Sequence, residues 1–154
     1  MDRTKAEAIV TKILAEIGHR VDWFIVCGSY RREKPNPGDI DIVLIPKAPY
    51  TLPEILPANE GINWLGDKKA QVIVDGEKVD FKVTTPEGKG AAILYFTGSA
   101  GYNIGLRIRA KKMGMKLNEY GIWDRETNEY LGGKTEEEIY EVLGKKFKEP
   151  RDRK

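Results

Sequence analysis

Cysteine and histidine are almost missing from this chain of 154 residues: Cys27 and His19 are the only examples of each. A single thiol makes no internal disulfide, and the two residues together cannot supply the clustered ligands of a zinc site. One imidazole also argues against histidine-centred acid–base catalysis, so any metal chemistry would have to run on carboxylates. No apolar run reaches the roughly 18 residues needed to span a bilayer, and the N-terminal MDRTKAEAIV lacks the basic-then-apolar pattern of a secretory leader. The expectation is an intracellular, non-secreted protein with no membrane association. Aromatic residues are not scarce: three Trp, seven Tyr and four Phe in a chain that is 40% hydrophobic argue against disorder. A chain of this length buries roughly 70% of its unfolded surface, enough for one domain or two small lobes.

The net charge of +2 says little, but its distribution says more. Residues 1–98 carry 13 basic and 14 acidic side chains, whereas residues 99–154 carry 13 and 10. Arg107, Arg109, Lys111, Lys112 and Lys116 fall in a stretch, residues 101–118, that has no acid at all. The last ten residues, from Lys145, hold six basic and two acidic side chains. Such clusters suit a polyanion, although a solvated helix face and a frayed tail would look the same.

Ala6, Ile9, Val10, Ile13, Leu14 and Ile17 recur at helical spacing and predict an amphipathic helix of about 14 residues, with Thr4 as N-cap and Gly18 as its stop. Val21 to Cys27 reads as a buried strand broken by Gly28-Ser29, and Asp39 to Ile45 as a second strand. Pro46, Pro49, Pro53 and Pro57 make residues 46–61 a long irregular connection. Asp75-Gly76 between two β-rich runs, residues 71–74 and 78–83, is a strong two-residue hairpin signal. Residues 102–113 suit a basic helix, Lys116 to Trp123 a short strand, and Thr135 to Leu143 a helix opened by a Thr135/Glu138 capping box. The change in composition near residues 84–98 marks a boundary between a mixed-sheet lobe and a smaller, more basic one.

Three acids stand out. Asp39 and Asp41 flank Ile40 at the start of a strand, so their side chains share one face about 7 Å apart while Ile40, Ile42 and Leu44 face a core. Like charges held this way need a positive partner, and a hard divalent cation such as Mg²⁺ suits oxygen ligands. Taken alone, the tetrapeptide also fits two solvated acids at a strand start. Asp80 alternates with Val79, Phe81 and Val83 and lies between Lys78 and Lys82. If its strand lies beside that of Asp39, three carboxylates converge, enough to hold two Mg²⁺ ions for phosphoryl transfer. Gly28-Ser29 supplies close-approaching backbone N–H groups and a hydroxyl for a phosphate, with Arg31 and Arg32 next to neutralise it.

This ordered set (strand, Gly-Ser, ten residues, Gly-Asp-x-Asp on a strand, a distant Asp on a third) is the signature of the nucleotidyltransferase fold. The strings CGSYRR, GDIDIV, VDFKV, LYFTGS with NIGLR, KLNEYGIWD and EPRDR go further, and over residues 21–154 the chain resembles the polymerase-beta-like X family of DNA polymerases. The resemblance implies an α+β protein: a palm of nucleotidyltransferase fold, residues 1–90, with a mixed β-sheet flanked by helices, then a small α/β lobe, residues 91–154, that selects the nucleotide and contacts DNA. It implies template-dependent, gap-filling addition of dNMP to a primer 3′-hydroxyl in DNA repair by two Mg²⁺ ions, with Mn²⁺ as a substitute. A template-independent terminal transferase and a non-catalytic DNA-end-binding scaffold are the competing readings.

Residue by residue, the resemblance makes Asp39, Asp41 and Asp80 the catalytic metal ligands, with Asp80 nearest the primer 3′-hydroxyl. Gly28, Ser29, Arg32 and Gly38 would hold the β- and γ-phosphates of a dNTP. Tyr95 and Phe96 would line the sugar pocket, although as a bare pair they read as core aromatics. Gly98 would form a cis bond to Ser99. Asn103 would touch the minor-groove edge of the new base, and Arg107 the template strand. Lys111, Lys112, Lys78 and Lys82 would bind DNA at a gap or nick, and Asn118, Glu119 and Tyr120 would act as supports. Pro37 stands where some members carry a phosphate-binding Ser, and Lys78 where animal members carry Arg. Only about 20 residues precede the first strand, so no lyase domain or helix-hairpin-helix region is expected, and a monomer with weak, salt-sensitive DNA binding is.

Overall fold

An amphipathic helix, α1 (Arg3–Ile17), opens the computed structural model, which describes residues 1–154. Its N-cap is Asp2, not the expected Thr4: the Asp2 carboxylate accepts the Lys5 N–H at 2.7 Å. A carboxylate at this position meets both the orphan donors and the positive end of the helix dipole, which a threonine does less well. Ala6, Ile9, Val10, Ile13 and Ile17 form the buried stripe.

That stripe packs on a five-stranded sheet made of β1 (Val21–Val26), β2 (Ile40–Pro46), β3 (Gly61–Leu65), β4 (Lys69–Val74) and β5 (Glu77–Val83), in the order β1-β2-β5-β4-β3. β2 and β5 run parallel and the other neighbours antiparallel, which makes the sheet mixed. Ile40, Ile42, Leu44, Ala70, Val72, Val74, Val79 and Phe81 point to the core beneath α1 and the short helix α3 (Leu52–Ile55). By alternation, Asp41, Gln71 and Asp80 lie on the other face. Asp75 and Gly76 both have positive φ, 52° and 79°, as a two-residue hairpin with the strand twist requires. The irregular connection expected over residues 46–61 contains α3, opened by a Thr51/Glu54 capping box, and runs into β3, an edge strand with no counterpart in the sequence reading.

The chain divides into two units, Met1–Val83 and Thr84–Lys154. The division falls after Val83, at the start of the 84–98 stretch where the composition changes and seven residues before the limit of 90 expected for the first lobe. Residues 84–90 go with the second unit because Glu87 O accepts from the Tyr130 hydroxyl at 2.6 Å and Gly90 lies against the Thr135 backbone with no room for a Cβ. The second unit runs α4 (Lys89–Thr97), α5 (Ala100–Lys112), β6 (Met115–Asn118), β7 (Gly121–Asp124), β8 (Tyr130–Gly132) and α6 (Glu136–Val142). Where one strand was expected over 116–123, the chain forms the β6–β7 hairpin. Asn118 Oδ1 accepts from the Tyr120 and Gly121 N–H groups and turns the chain back on itself. Thr135 caps α6, but Glu138 does not return to close the box; its carboxylate takes the Gly133 N–H at 2.9 Å instead. Ala91, Leu94, Leu106, Leu117, Ile122, Ile139 and Tyr140 make the core of this unit. The C-terminus folds back onto it: Arg153 is buried, pairs with Glu136 at 2.6 Å and stacks over Tyr140 and Phe147.

Candidate active site

In the first unit, the parallel pairing of β2 with β5 puts Asp41 directly opposite Asp80. Adjacent strands lie about 4.8 Å apart, so side chains on one face of such a pair must touch. Asp80 lies close enough to act on the Asp41 carboxyl, and Asp39 adds a third negative charge from just before β2. Burial, then Asp80, pushes the Asp41 carboxyl up to about 7, and Lys82 opposes the rise. Asp39 is exposed and Asp80 half-buried.

The turn after β1 closes on this pair. Gly28 starts the four-residue helix α2 (Gly28–Arg31) at φ +65°, in the left-handed region, and a Cβ there would collide with the Asp41 carboxylate. Glycine is therefore required on two counts. The Cys27 N–H bonds Asp41 O at 2.8 Å, tying the turn to β2. The Ser29 hydroxyl accepts the Gly38 N–H at 3.0 Å, so two of the expected phosphate contacts already adjoin each other. Arg32 ends the turn, its N–H on Gly28 O at 3.2 Å. Lys78 is exposed on β5, and Lys82 lies with its ammonium 5.5 Å from the centre of the Trp64 ring.

Two residues not expected at the site extend it: one bonds an acid and the other bonds the first. Gln71 stands opposite Asp80 on β4 and donates from Nε2 to Asp80 Oδ1 at 2.7 Å. Asn63, at an irregularity of β3, donates from Nδ2 to Gln71 Oε1, also at 2.7 Å. The register of the Asp75-Gly76 hairpin was enough to find Gln71, since counting back from a two-residue turn pairs 71 with 80. Nothing in the sequence marked Asn63.

The second unit gathers another group. Tyr95 is exposed and Phe96 half-buried, so neither is the core aromatic that the bare pair suggests; their rings meet edge to face at 4.9 Å. Arg107 lies over the Tyr95 ring at 5.9 Å, and Asn103 Nδ2 donates to Tyr95 O at 2.7 Å. That bond leaves Asn103 Oδ1 buried without a partner, in the wall of a small cavity shared with Arg107, Tyr95 and Asn118. The Gly98–Ser99 bond is cis, and Ser99 caps α5. Lys111 and Lys112 are exposed in the last turn of α5, the end at which the helix dipole favours cations. Gly101, Tyr102, Gly105, Arg109, Lys145, Lys148 and Lys154 line an open cavity of about 400 Å³ that no acid borders, with Lys145 and Lys148 about 6 Å from the Tyr102 ring.

The acid pair fits a hard divalent cation. Two carboxylates held this close favour a proton or a cation between them, and burial together with Asp80 already pushes the Asp41 carboxyl up. No three acid, histidine or cysteine side chains form a ready-made cage. Mg²⁺ does not need one, because it is commonly held by one or two carboxylates together with phosphate oxygens of a substrate.

Comparison with known proteins places these features in a family. Residues 2–56 match the DNA polymerase beta palm model and residues 92–154 the DNA polymerase beta thumb model. The chain is 30% identical over 139 residues to repair DNA polymerase X of African swine fever virus (isolate Tick/Malawi/Lil 20-1/1983), spanning 84% of this chain and 80% of the relative. It is 33% identical over 127 residues to the DNA polymerase/3′-5′ exonuclease PolX of Bacillus subtilis (strain 168), covering 79% of this chain and 22% of that protein. Among solved structures, Leishmania infantum polymerase beta in a ternary P/T complex aligns over 100% of this chain and 76% of its own, with a TM-score of 0.81 and 19% identity, a likeness of fold.

Proposed function

The chain belongs to the X family of DNA polymerases and is a DNA repair polymerase, and from that premise we propose that it fills short gaps by templated addition of single nucleotides to a primer 3′-hydroxyl. The observation that carries the proposal is the Asp41–Asp80 pair, fixed by the parallel register of β2 and β5. The reaction is in-line attack of the primer 3′-oxygen on the α-phosphate of a dNTP, with pyrophosphate leaving. Two Mg²⁺ ions, when bound, would lower the pKa of the attacking hydroxyl and neutralise the leaving oxygen; Mn²⁺ would do the same.

The chain's own residues then divide the work. Asp39, Asp41 and Asp80 supply the oxygens that hold the cations, and Asp80 orients the primer terminus. The backbone at Gly28 and Gly38 and the Ser29 hydroxyl receive the β- and γ-phosphates, and Arg32 balances their charge. In the second unit, Tyr95 and Phe96 bound the sugar, the Gly98–Ser99 turn shapes their approach, and Asn103 and Arg107 test the geometry of the new pair from its minor-groove side. Lys78, Lys82, Lys111 and Lys112 hold DNA phosphates, and the basic cavity beside Tyr102 adds to that grip. The protein acts as a monomer.

Replacing Asp80 by Asn tests the assignment. The variant is expected to lose incorporation at least 1,000-fold, while its affinity for gapped DNA, read by fluorescence anisotropy, stays within about twofold. Undiminished incorporation by Asp80→Asn would overturn the assignment.

A further inference from the structure

The face of the sheet that bears the acids carries a hydrogen-bonded line of side chains running outward across three strands: Asp80 on β5, Gln71 on β4 and Asn63 on β3. A carboxylate oxygen that meets an amide accepts from its nitrogen. Asp80 Oδ1 therefore requires the nitrogen of Gln71, which turns the Gln71 oxygen toward β3, and that oxygen in turn requires the nitrogen of Asn63. One orientation of both amides satisfies both 2.7 Å contacts, so the line has a direction, with every donor pointed toward Asp80.

The backbone is arranged to permit it. Gln71 is the antiparallel partner of Asp80, in a register set by the Asp75-Gly76 turn. The pairing of β3 with β4 shifts between Ile62 and Trp64, and Asn63 is the residue at that shift. Irregularities of this kind re-aim a side chain, and they recur beside active sites. Neither Gln71 nor Asn63 packs in the hydrophobic core, so neither is needed to fill it.

We propose that Gln71, itself oriented by Asn63, is a positioning residue for Asp80. The amide occupies one lone pair of Oδ1, fixes the rotamer of the carboxylate, and leaves the rest of the group to face Asp41 and the cation. Hydrogen bonds from a ligand's outer neighbours orient it and raise its effectiveness, and losing them typically lowers activity or metal affinity about 10–100-fold. The inference rests on the reading of Asp80 as a catalytic carboxylate.

The test is single-turnover insertion into one-nucleotide-gapped DNA as a function of dNTP and of Mg²⁺, for the wild type, Gln71→Met, Asn63→Ala, the double variant and Asp80→Asn. Gln71→Met keeps length and removes the donor. It is expected to lower the maximal insertion rate about 10–100-fold and to raise the Mg²⁺ needed for half-maximal rate. The apparent dNTP affinity should stay within about twofold and the melting temperature within about 3 °C. Asn63→Ala should lower the rate about three- to tenfold alone and have no further effect when Gln71 is already Met. A full insertion rate in Gln71→Met, alongside an inactive Asp80→Asn, would overturn the positioning role and leave Asp80 in place. Equal losses of rate, dNTP affinity and melting temperature would also overturn it, since they would mark a structural role. An active Asp80→Asn would instead remove the premise.

Discussion

Asp41→Asn should make the metal-free protein more stable while ending its activity, and the size of the gain follows from the site. Burial and the neighbouring acids raise the Asp41 carboxyl from 3.8 to about 7. An acid whose pKa is higher in the folded state binds its proton more tightly there. Its favourable contribution is complete below pH 4, declines as pH rises, and is gone above about pH 7. At roughly 1.4 kcal/mol per pH unit crossed, the full swing is about 4 kcal/mol, of which the interval from pH 5 to pH 8 takes roughly 2.5–3 kcal/mol. For a chain of this size that corresponds to about 5–10 °C in melting temperature. Asn cannot ionise and its amide can donate to Asp80, so the variant escapes the loss. Calorimetry in chelator should show the melting temperature of Asp41→Asn gaining about 5–10 °C on that of the wild type between pH 5 and pH 8. Added Mg²⁺ at pH 8 should raise the wild type and leave the variant unmoved. A constant difference between the two proteins across this range would refute the reading of Asp41 as a carboxylate strained by its neighbours.

Two further substitutions probe each unit separately. Gly28→Ala introduces a side chain at φ +65° against the Asp41 carboxylate, and should cost about 1–3 kcal/mol in urea unfolding and abolish nucleotide incorporation. Arg153→Met removes the guanidinium that pairs with the buried Glu136 carboxylate, and should cost about 3–5 kcal/mol, whereas replacing both residues together by apolar ones should recover much of it; thermal melts of the single and double variants check this.

How far the sequence reached depended on whether the information was local. The Asp75-Gly76 turn, with both residues at positive φ, fixed a hairpin and its register from two residues. The alternation along β2 and β5 assigned Asp41 and Asp80 to the polar face. That the two strands lie side by side and parallel is a long-range fact, and spacing alone left it open; the likeness to the X family implied that the three acids act together, but not this pairing. β3 escaped notice because its residues from Ile62 to Leu65 are all exposed, so no alternation marks it. With β3 unseen, Asn63 could not be placed. Residues 91–94 of α4 are buried one after another, which leaves neither a helical nor a strand period to read. The N-cap of α1 was misplaced by two residues because Asp2 and Thr4 are both competent caps, and the helix dipole favours the acid. In the second unit the motif LYFTGS led to Tyr95 and Phe96, but not to the Asn103–Tyr95 bond that leaves Asn103 Oδ1 as a buried acceptor.

If this acid pair and its companions carry out templated gap filling, single-nucleotide insertion into a one-nucleotide gap will show it. Each of the four dNTPs is offered separately with Mg²⁺, beside a primer with no template. Insertion of the complementary nucleotide alone is expected, and none without template. Indiscriminate addition that persists on the bare primer, or firm DNA binding with no insertion in either Mg²⁺ or Mn²⁺, would contradict it.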